Sequence, residues 1–597
     1  MGLFRIGTRA TAWGPSCMLV MLAACASQPL PPLPPSSVAQ ARSVPAPLTG
    51  APAASAKPAA SAPANAAANA AANAAAPAPA PAPAPASATE IASESTPPDS
   101  PESAAVAARF LDPAVAYITP AFLPGHSAYT SNAELRNAMD QLLRDAPPGT
   151  TSVRRLTIGM SQFGEPLEAL HFTRDPDPAA ALPLRAPRPV VLLIGQQHGD
   201  EPASSEALLV VAQELAQGKL QRVLDRIDVV VMPRANPDGA AAGRRLTANG
   251  IDLNRDHLLL KTPEARAQAQ LVREFAPIVV VDAHEYAAVG PYPQKFGAVP
   301  KHDALLQYAM VANLPAFITK ASEEWFRRPM LAQFKTDGLT AEWYHTTASA
   351  TPAELADNTL TMGSVRPDTA RNVNGLKNAV SLLIETRGIG IGRAHLKRRV
   401  FTQASAITSV LTSASARAAD LTKLRQFVAA EVSAKACTGE AVVQAEPTAS
   451  EYEVRMLDPL TGADKTISVT WNSSLVLTAA KLRARPCGYW LDAQQTEAVA
   501  TLRALGIQVQ RIDERGVVRG ENYRATAPGA AAVLLPVLLD IDAGGYYIGL
   551  DQPLANLAIA ALEPDTPDSY LTNGLITETG SEARVLARPA MRMSPVP

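Results

Sequence analysis

The sequence predicts an α/β fold, in which a mixed, mainly parallel sheet carries helices on both faces, followed by a smaller C-terminal α+β domain. Short continuous apolar runs, such as 189–194 and 278–281, are typical of buried strands. Between two such runs, 203–215 has apolar residues at helical spacing. Beyond Gly392 the pattern changes to a long Ala-rich helical stretch and then to alternating segments. Alternation of strands and helices is typical of a sheet covered on both faces.

Each element has its own signal in the sequence. The apolar runs predict strands at 189–194, 227–232, 278–281 and 379–384. A helix is expected over 263–275, because Pro263 suits a first helical turn and Glu264 favours the positive helix end. The stretch 404–434 predicts helix, and alternating apolar and polar residues predict half-buried strands at 452–456 and 466–471.

Composition limits the classes of function. The chain has 597 residues, with 53 Lys and Arg against 55 Asp and Glu, which gives a formal net charge of -2. There is no basic excess to bind a nucleic acid backbone, so no nucleic acid partner is expected. The 47% of hydrophobic residues suffices for a large buried core. The sequence leaves the oligomeric state open.

The N-terminus predicts export. Arg5 and Arg9 precede the short apolar stretch 17–24, as in a signal peptide. This stretch is shorter than the roughly 20 residues that span a bilayer. It ends in Leu22-Ala23-Ala24-Cys25, which resembles the lipobox of bacterial lipoproteins. The resemblance implies a signal peptide over 1–25 and lipidation of Cys25; an ordinary cleaved signal is the alternative.

Residues 26–104 predict a disordered tether. They are mostly Ala, Pro, Ser and Asn, with almost no large apolar residues that could stabilise an ordered backbone. The expected protein is therefore a membrane-anchored lipoprotein that faces the periplasm. Ala26 stands where this lipoprotein class has an acidic residue for inner-membrane retention, so we expect the outer membrane.

Two cysteines remain outside the signal peptide. Cys437 and Cys487 form an even pair, and an oxidising compartment favours one disulfide between them. Two separate buried thiols are the alternative.

Residues suited to metal chemistry follow the predicted strands. His198 and Glu201 come just after the strand that ends at Ile194, and His284 ends the strand of 278–281. Open α/β sheets assemble their sites at the carboxyl ends of strands, so these three side chains could face one crevice. Two histidines and one carboxylate suit a catalytic zinc ion with an open fourth position. Glu385, after the strand of 379–384, could serve as the base.

Further motifs lie between these residues. They are Asn236-Pro237-Asp238-Gly239, and Arg245 ahead of Gly250-Ile251-Asp252-Leu253-Asn254-Arg255. Together with the histidines and Glu385, in this order, they resemble the M14 family of zinc carboxypeptidases over roughly residues 120 to 395. The expected organisation is a peptidase domain over 105–400, a helical connector over 401–435 and an accessory domain over 436–597.

The resemblance implies a role for each matching residue. It implies one zinc ion bound by His198, Glu201 and His284, with Asp252 orienting a ligand imidazole. Arg245 would stabilise the developing oxyanion, and Glu385 would be the general base. Asn254 and Arg255 would hold the terminal carboxylate of the substrate.

The sequence also departs from the family pattern. No tyrosine occurs in 358–380, where digestive members have one that closes over the substrate. Tyr344, Tyr286 or Tyr292 could cover the site instead. Glu285 could compete for the role of base, although adjacent strand residues point to opposite faces. His257 follows the Asn-Arg pair closely enough to line the pocket.

The leading prediction is a zinc metallocarboxypeptidase that hydrolyses peptide bonds near a free C-terminus, with a peptide or cell-wall peptide as substrate. One alternative is a cell-wall peptide amidase or endopeptidase with the same zinc site. The others are a non-catalytic binding lipoprotein and a scaffold lipoprotein that works through its C-terminal domain.

Overall fold

A computed structural model of the chain describes residues 102–146, 151–174, 188–348, 357–525 and 532–596. The predicted signal peptide, Cys25 and the tether up to residue 101 lie outside this part. Within it, no helix is long and apolar enough to cross a membrane. All described residues belong to one compact unit, Glu94–Pro597.

The strands number nineteen in the described ranges. They are β1 Ser152–Met160, β2 Pro166–Thr173, β3 Val190–Gly195, β4 Asp228–Met232, β5 Val279–Ala287, β6 Val299–Pro300, β7 Ala304–Tyr308, β8 Ala341–Trp343, β9 Thr359–Thr361, β10 Val380–Ile389, β11 Glu440–Leu457, β12 Asp464–Ala484, β13 Gly488–Leu491, β14 Gln510–Ile512, β15 Gly516–Ala525, β16 Ala532–Ile541, β17 Tyr546–Gly549, β18 Glu582–Val585 and β19 Met593–Pro595.

The α-helices of the same ranges are α1 Ala104–Ala107, α2 Asn132–Asp145, α3 Pro202–Gln217, α4 Pro237–Ala241, α5 Pro263–Phe275, α6 Tyr292–Phe296, α7 Ala316–Ala321, α8 Arg328–Thr336, α9 Ala370–Leu376, α10 Leu396–Ala416, α11 Ala418–Ala434, α12 Thr496–Ala504 and α13 Ala555–Leu562. Short 3-10 turns occupy Pro120–Phe122, Lys219–Asp225, Leu253–Arg255 and Thr579–Ser581, and a π-helical turn occupies Ser322–Arg327.

An eight-stranded mixed sheet forms the centre of the region that carries the motifs, in the order β1-β2-β4-β3-β5-β10-β7-β8. The four strands predicted from apolar runs are its adjacent members β4, β3, β5 and β10, which run parallel to one another. Their apolar side chains are almost completely buried, which explains why each strand reads as a continuous apolar run. This arrangement confirms the predicted α/β class.

Helix α10 fixes the carboxyl ends of β5 and β10 from one side. The Nε of Arg399 donates to the Glu285 carboxylate at 2.7 Å, and Gln403 donates to the carbonyl of His284 at 2.7 Å. Successive strand residues point to opposite faces, so the side chain of His284 is directed away from this helix. The ligand-bearing end of β5 is thereby supported from behind.

The C-terminal part has a sheet of its own. Seven strands lie in the order β16-β15-β18-β13-β17-β14-β19, with antiparallel neighbours throughout. The strands predicted at 452–456 and 466–471 lie within the long hairpin β11–β12. This hairpin pairs with β6 and β9, so the C-terminal part shares a four-stranded sheet with the region that carries the motifs. The sulfur atoms of Cys437 and Cys487 form a disulfide.

Candidate active site

Three predicted metal ligands converge at the carboxyl ends of β3 and β5. Ile194 and Asp282 are register partners in these parallel strands, so the segments that follow them meet. The Nδ1 of His198 lies 2.6 Å from one Glu201 oxygen, and the Nδ1 of His284 lies 2.7 Å from the other. The two Nδ1 atoms are 3.1 Å apart, and all three side chains are buried. They form a group able to hold a metal ion.

The tautomers of the two histidines show that this group fits a cation. The Nε2 of His198 lies 3.1 Å from the Asp252 carboxylate, and the Nε2 of His284 lies 2.7 Å from the Asp282 carboxylate. Each carboxylate accepts a hydrogen bond from the Nε2–H group, which leaves the Nδ1 lone pairs directed at each other and at Glu201. Three facing lone-pair donors repel unless a cation lies between them. The donor set, two imidazole nitrogens and a carboxylate, suits zinc.

Asp282 is a supporting residue that the sequence interpretation missed. It is fully buried and accepts hydrogen bonds from Gln197 at 2.6 Å and from Asn254 at 3.2 Å. Burial alone would raise its pKa, but the adjacent His284 brings the pKa of Asp282 below its ordinary value. A signal was present, because Asp282 and His284 are two residues apart on a strand and share a face.

The Asn-Pro-Asp-Gly motif holds two site segments together. Asn236 donates to the carbonyl of Gln197 at 3.2 Å and to that of Arg245 at 3.3 Å. A Cβ on Gly199 would lie only 1.9 Å from the carbonyl carbon of Gly239, so the two backbones need glycine to approach this closely. The motif therefore sets the distance between Arg245 and the His198-Glu201-His284 cluster.

Arg245 is fixed by a carboxylate and faces the metal cluster. Its Nε and one terminal nitrogen donate to the same Asp252 oxygen, at 3.1 and 2.9 Å. The other terminal nitrogen lies 3.1 Å from the Nδ1 of His198. Burial opposes ionisation of Asp252, but His198 and Arg245 hold the pKa of that carboxyl well below its ordinary value. Asp252 therefore orients both a histidine and an arginine.

Asn254 and Arg255 have different environments. The amide nitrogen of Asn254 donates to Asp282 at 3.2 Å, and its oxygen accepts from the Ala370 backbone at 2.8 Å. The Asn254 side chain thus contacts the carboxylate that supports His284, and its predicted role in holding a substrate carboxylate stays a prediction. Arg255 is exposed, lines the cavity and donates to the Asn254 carbonyl at 2.7 Å.

Glu385 lies beside His284 across the β5–β10 pairing. It is 7% exposed, and this burial raises the pKa of Glu385 to about 7, although the nearby His284 opposes the shift. A pKa near neutrality suits a group that must take up and release a proton. Glu285 is directed away from the cluster, where it accepts from Arg399 and from the Ala203 backbone at 2.6 Å, so it is not a competing base.

His198 and Glu201 line one cavity of about 250 Å³ together with Glu385 and the arginines Arg245 and Arg255. The three tyrosines proposed as covers also line it; they are Tyr286, Tyr292 and Tyr344. Tyr286 donates to the carbonyl of His302 and Tyr292 lies 3.5 Å from that of His345, so both hydroxyls are directed at backbone. His257 does not line the cavity. Its Nε2 lies 2.7 Å from the side-chain oxygen of Gln197, and burial lowers the pKa of His257 to about 4.

The cavity also contains Arg371, which the sequence interpretation missed. This arginine lies in α9, within a segment that carries none of the recognised motifs. No local pattern marks it, because only the tertiary packing of α9 brings it to the cavity.

Comparison with known proteins agrees with this geometry. The family model described as zinc carboxypeptidase matches residues 136–350. Carboxypeptidase 2 of Trichophyton equinum is 26% identical over 413 residues, covering 66% of this chain and 75% of the relative. Carboxypeptidase D of Mus musculus is 30% identical over 270 residues, covering 36% of this chain and 19% of the relative.

A solved structure is also similar, over a smaller share of this chain than the match to carboxypeptidase 2. The metallo-carboxypeptidase from Pseudomonas aeruginosa, in complex with (2-guanidinoethylmercapto)succinic acid, shares 20% identity with a TM-score of 0.36, over 48% of this chain and 69% of that one. The matched family model, the motifs and the His-Glu-His cluster together show that this chain contains a domain of the zinc carboxypeptidase family, whose members are metal-dependent hydrolases.

Proposed function

We propose that this metallocarboxypeptidase removes single residues from the free C-terminus of a peptide. The observation that carries the proposal is one cavity that reaches the His-Glu-His cluster through His198 and Glu201 and also contains the buried Glu385 and the exposed Arg255. The first two suit hydrolysis, and the third suits a substrate with a terminal carboxylate.

One zinc ion would be held by the Nδ1 atoms of His198 and His284 and by the carboxylate of Glu201. When bound, zinc supplies Lewis-acid polarisation of the scissile carbonyl and makes a water molecule more acidic. Asp252 and Asp282 keep the proton of each imidazole on its Nε2, so the Nδ1 lone pairs stay available.

Glu385 would move the proton during the reaction. Its carboxylate takes a proton from the attacking water as the water oxygen bonds to the carbonyl carbon. When the carbon–nitrogen bond breaks, the same carboxyl group gives that proton to the leaving amine nitrogen. The raised pKa of Glu385 makes the transfer feasible in both directions.

The arginines would orient the substrate. Arg245, held by Asp252 and facing the cluster, can donate to the oxygen of the scissile carbonyl as negative charge develops on it. Among the described residues, no carboxylate lies within ion-pair distance of Arg255, so its guanidinium can bind the terminal carboxylate of the peptide. Asn254 donates to Asp282, the carboxylate that contacts His284 Nε2.

The test is mass spectrometry of the products formed from matched peptides with a free or an amidated C-terminus, with and without a zinc chelator. We expect loss of single C-terminal residues from the free acids only, and none with chelator. Arg255→Gln should lower kcat/KM on free acids by about tenfold to a hundredfold, the worth of a hydrogen bond to a charged group. Internal cleavage, or equal cleavage of amides, would favour the cell-wall amidase or endopeptidase.

We also propose that the protein is a lipoprotein, anchored through Cys25 and facing the periplasm at the outer membrane. The support is the Leu22-Ala23-Ala24-Cys25 sequence, the tether composition of 26–104 and Ala26. Metabolic labelling with a tagged fatty acid should label the protein and should fail for Cys25→Ser. Membrane fractionation should recover the labelled protein with the outer membrane; recovery of unlabelled, soluble protein would contradict the anchor.

A further inference from the structure

Arg371 is a buried cation with few partners. Its residue is 4% exposed, and one terminal nitrogen donates to the carbonyl of Ser364 at 2.9 Å. Its Nε is buried and has no hydrogen-bond partner within the part of the chain that the structure describes. In that same part, no carboxylate lies within ion-pair distance of its guanidinium. Burial lowers the pKa of Arg371, which reflects the cost of an unpaired buried cation.

Three other buried arginines, Arg399, Arg584 and Arg234, are better satisfied. Arg399 and Arg584 pair with the buried carboxylates Glu285 and Glu563, at 2.7 and 2.9 Å. Arg234 donates from all three of its nitrogens, each at 2.7 Å, to Gln196, Asn132 and the Thr130 carbonyl. Burying arginine without such partners is unfavourable, so the environment of Arg371 is one that an added anion would improve.

The guanidinium of Arg371 is held in place at the cavity. Its central carbon lies 5.7 Å from the centre of the Tyr344 ring, and both residues line the cavity. A Cβ on Gly363 would lie 3.0 Å from an Arg371 nitrogen, so the backbone also packs closely against the group. This packing limits the positions that the guanidinium can adopt, as recognition of a planar carboxylate requires.

Arg255 lines the same cavity and adds a second positive charge. The two groups repel each other, and Arg255 also lowers the pKa of Arg371 after the larger effect of burial. Two acidic groups of the cavity wall are engaged elsewhere, since Glu201 contacts both histidines and Glu285 is paired with Arg399. The third, Glu385, raises the pKa of Arg371 but forms no ion pair with it among the described residues. A ligand with two carboxylates would satisfy both arginines.

We propose that Arg371 binds the side-chain carboxylate of a C-terminal glutamate or aspartate, and that the enzyme prefers peptides ending in these residues. The inference rests on the proposed function, in which Arg255 takes the terminal carboxylate. A neutral side chain leaves Arg371 unpaired, and a basic side chain is repelled by it.

The test compares benzoyl-Gly-Glu, benzoyl-Gly-Gln and benzoyl-Gly-Lys on the zinc-loaded enzyme. Glutamate and glutamine have nearly the same shape, so their ratio isolates the charge. We expect kcat/KM to be about tenfold to a hundredfold higher for the Glu peptide than for the Gln peptide, and lower still for the Lys peptide. Free glutamate should also inhibit the wild-type enzyme more strongly than free glutamine does. This comparison needs no variant protein.

Arg371→Gln should lower the Glu-to-Gln ratio of kcat/KM by at least about tenfold, and Arg371→Lys should restore part of it. The matched control is Arg366→Gln, a nearby arginine that is 48% exposed at its side chain and pairs with Asp568 outside the cavity. This control should keep the wild-type ratio. Equal losses on the Glu and Gln peptides in Arg371→Gln would show a general or structural role and overturn the proposal.

The wild-type enzyme separates the two proposals. Release of glutamine or lysine as fast as glutamate, with no difference in product inhibition, would overturn the acidic preference and leave the carboxypeptidase function intact. Release of no C-terminal residue from any of the three peptides would contradict the proposed function itself, and the preference with it.

Discussion

Two groups of charged side chains at the cavity differ in how their charges are satisfied. The metal end is the His198-Glu201-His284 cluster, and the arginine end is Arg255 with Arg371. At the metal end, the Nε2 of His198 contacts Asp252 and the Nε2 of His284 contacts Asp282. The carboxylate of Glu201 contacts the Nδ1 atoms of both histidines. At the other end, neither Arg255 nor Arg371 has a carboxylate partner among the described residues. The metal end therefore needs a cation, and the arginine end needs an anion.

This difference indicates how a peptide would be oriented. An anionic C-terminus is attracted to the arginine end, because its two cations have no carboxylate partner among the described residues. With the terminal carboxylate at Arg255, hydrolysis requires the last peptide bond to lie at Glu385 and the His-Glu-His cluster, which fixes the direction of the peptide. Positioning of this kind contributes to rate as well as to specificity.

The largest expected effect is at the proposed base, Glu385. Glu385→Gln should lower kcat by about 10²- to 10⁴-fold, because the amide cannot accept the proton of water. Zinc content, measured by atomic absorption, should stay at that of the wild type. The matched control is Glu274→Gln, the same change at an exposed helix position. Activity near the wild-type level in Glu385→Gln would remove this residue from the role of base.

The next effect concerns the support of the metal end. Asp282→Asn should weaken zinc binding by about 10- to 100-fold, because His284 loses the carboxylate that fixes its tautomer. Competition with a zinc chelator measures the affinity. Asp568→Asn is the control, since Asp568 is also a buried acidic residue but accepts from Arg366 outside the cavity. Equal zinc affinity in both variants would contradict the importance of this contact.

The smallest effect is a shift in pH dependence. Burial raises the pKa of Glu385 from 4.5 to about 7, and the positive charge of zinc should bring it partly back. The base works when ionised, so activity is present above this pKa and falls as the pH decreases through it. We expect the acid limb of kcat/KM to have its midpoint between these two values. Zinc content must be followed in parallel, because protonated histidines release the metal. A flat profile down to pH 4.5 with zinc retained would contradict the raised pKa.

Sequence predicted the central strands and the metal end for the same physical reason. Strands β3, β4, β5 and β10 are buried on both faces, so each is a continuous apolar run, and short motifs at their ends give the ligands. Strand β1 was missed because it is half-exposed, and β7 was missed because its apolar run stops at Gln307 after three residues. The predicted domain boundary at 435 stays a prediction.

Sequence could not predict the arginine end. Arg371 reaches the cavity only through the packing of α9, and no motif marks it. For Asn254, the family pattern identifies the residue, but the direction of its amide depends on Asp282, which lies on β5. Directions of side chains are set by tertiary contacts, so roles that depend on them need the structure.

The most direct test of the two-ended cavity is a crystal structure of zinc-loaded Glu385→Gln with benzoyl-Gly-Glu, recorded at the zinc absorption edge. We expect one anomalous peak within about 2.0–2.2 Å of the Nδ1 atoms of His198 and His284 and of a Glu201 oxygen. The two carboxylates of the peptide should lie at Arg255 and Arg371. A zinc peak away from these three ligands, or peptide carboxylates away from both arginines, would contradict the account.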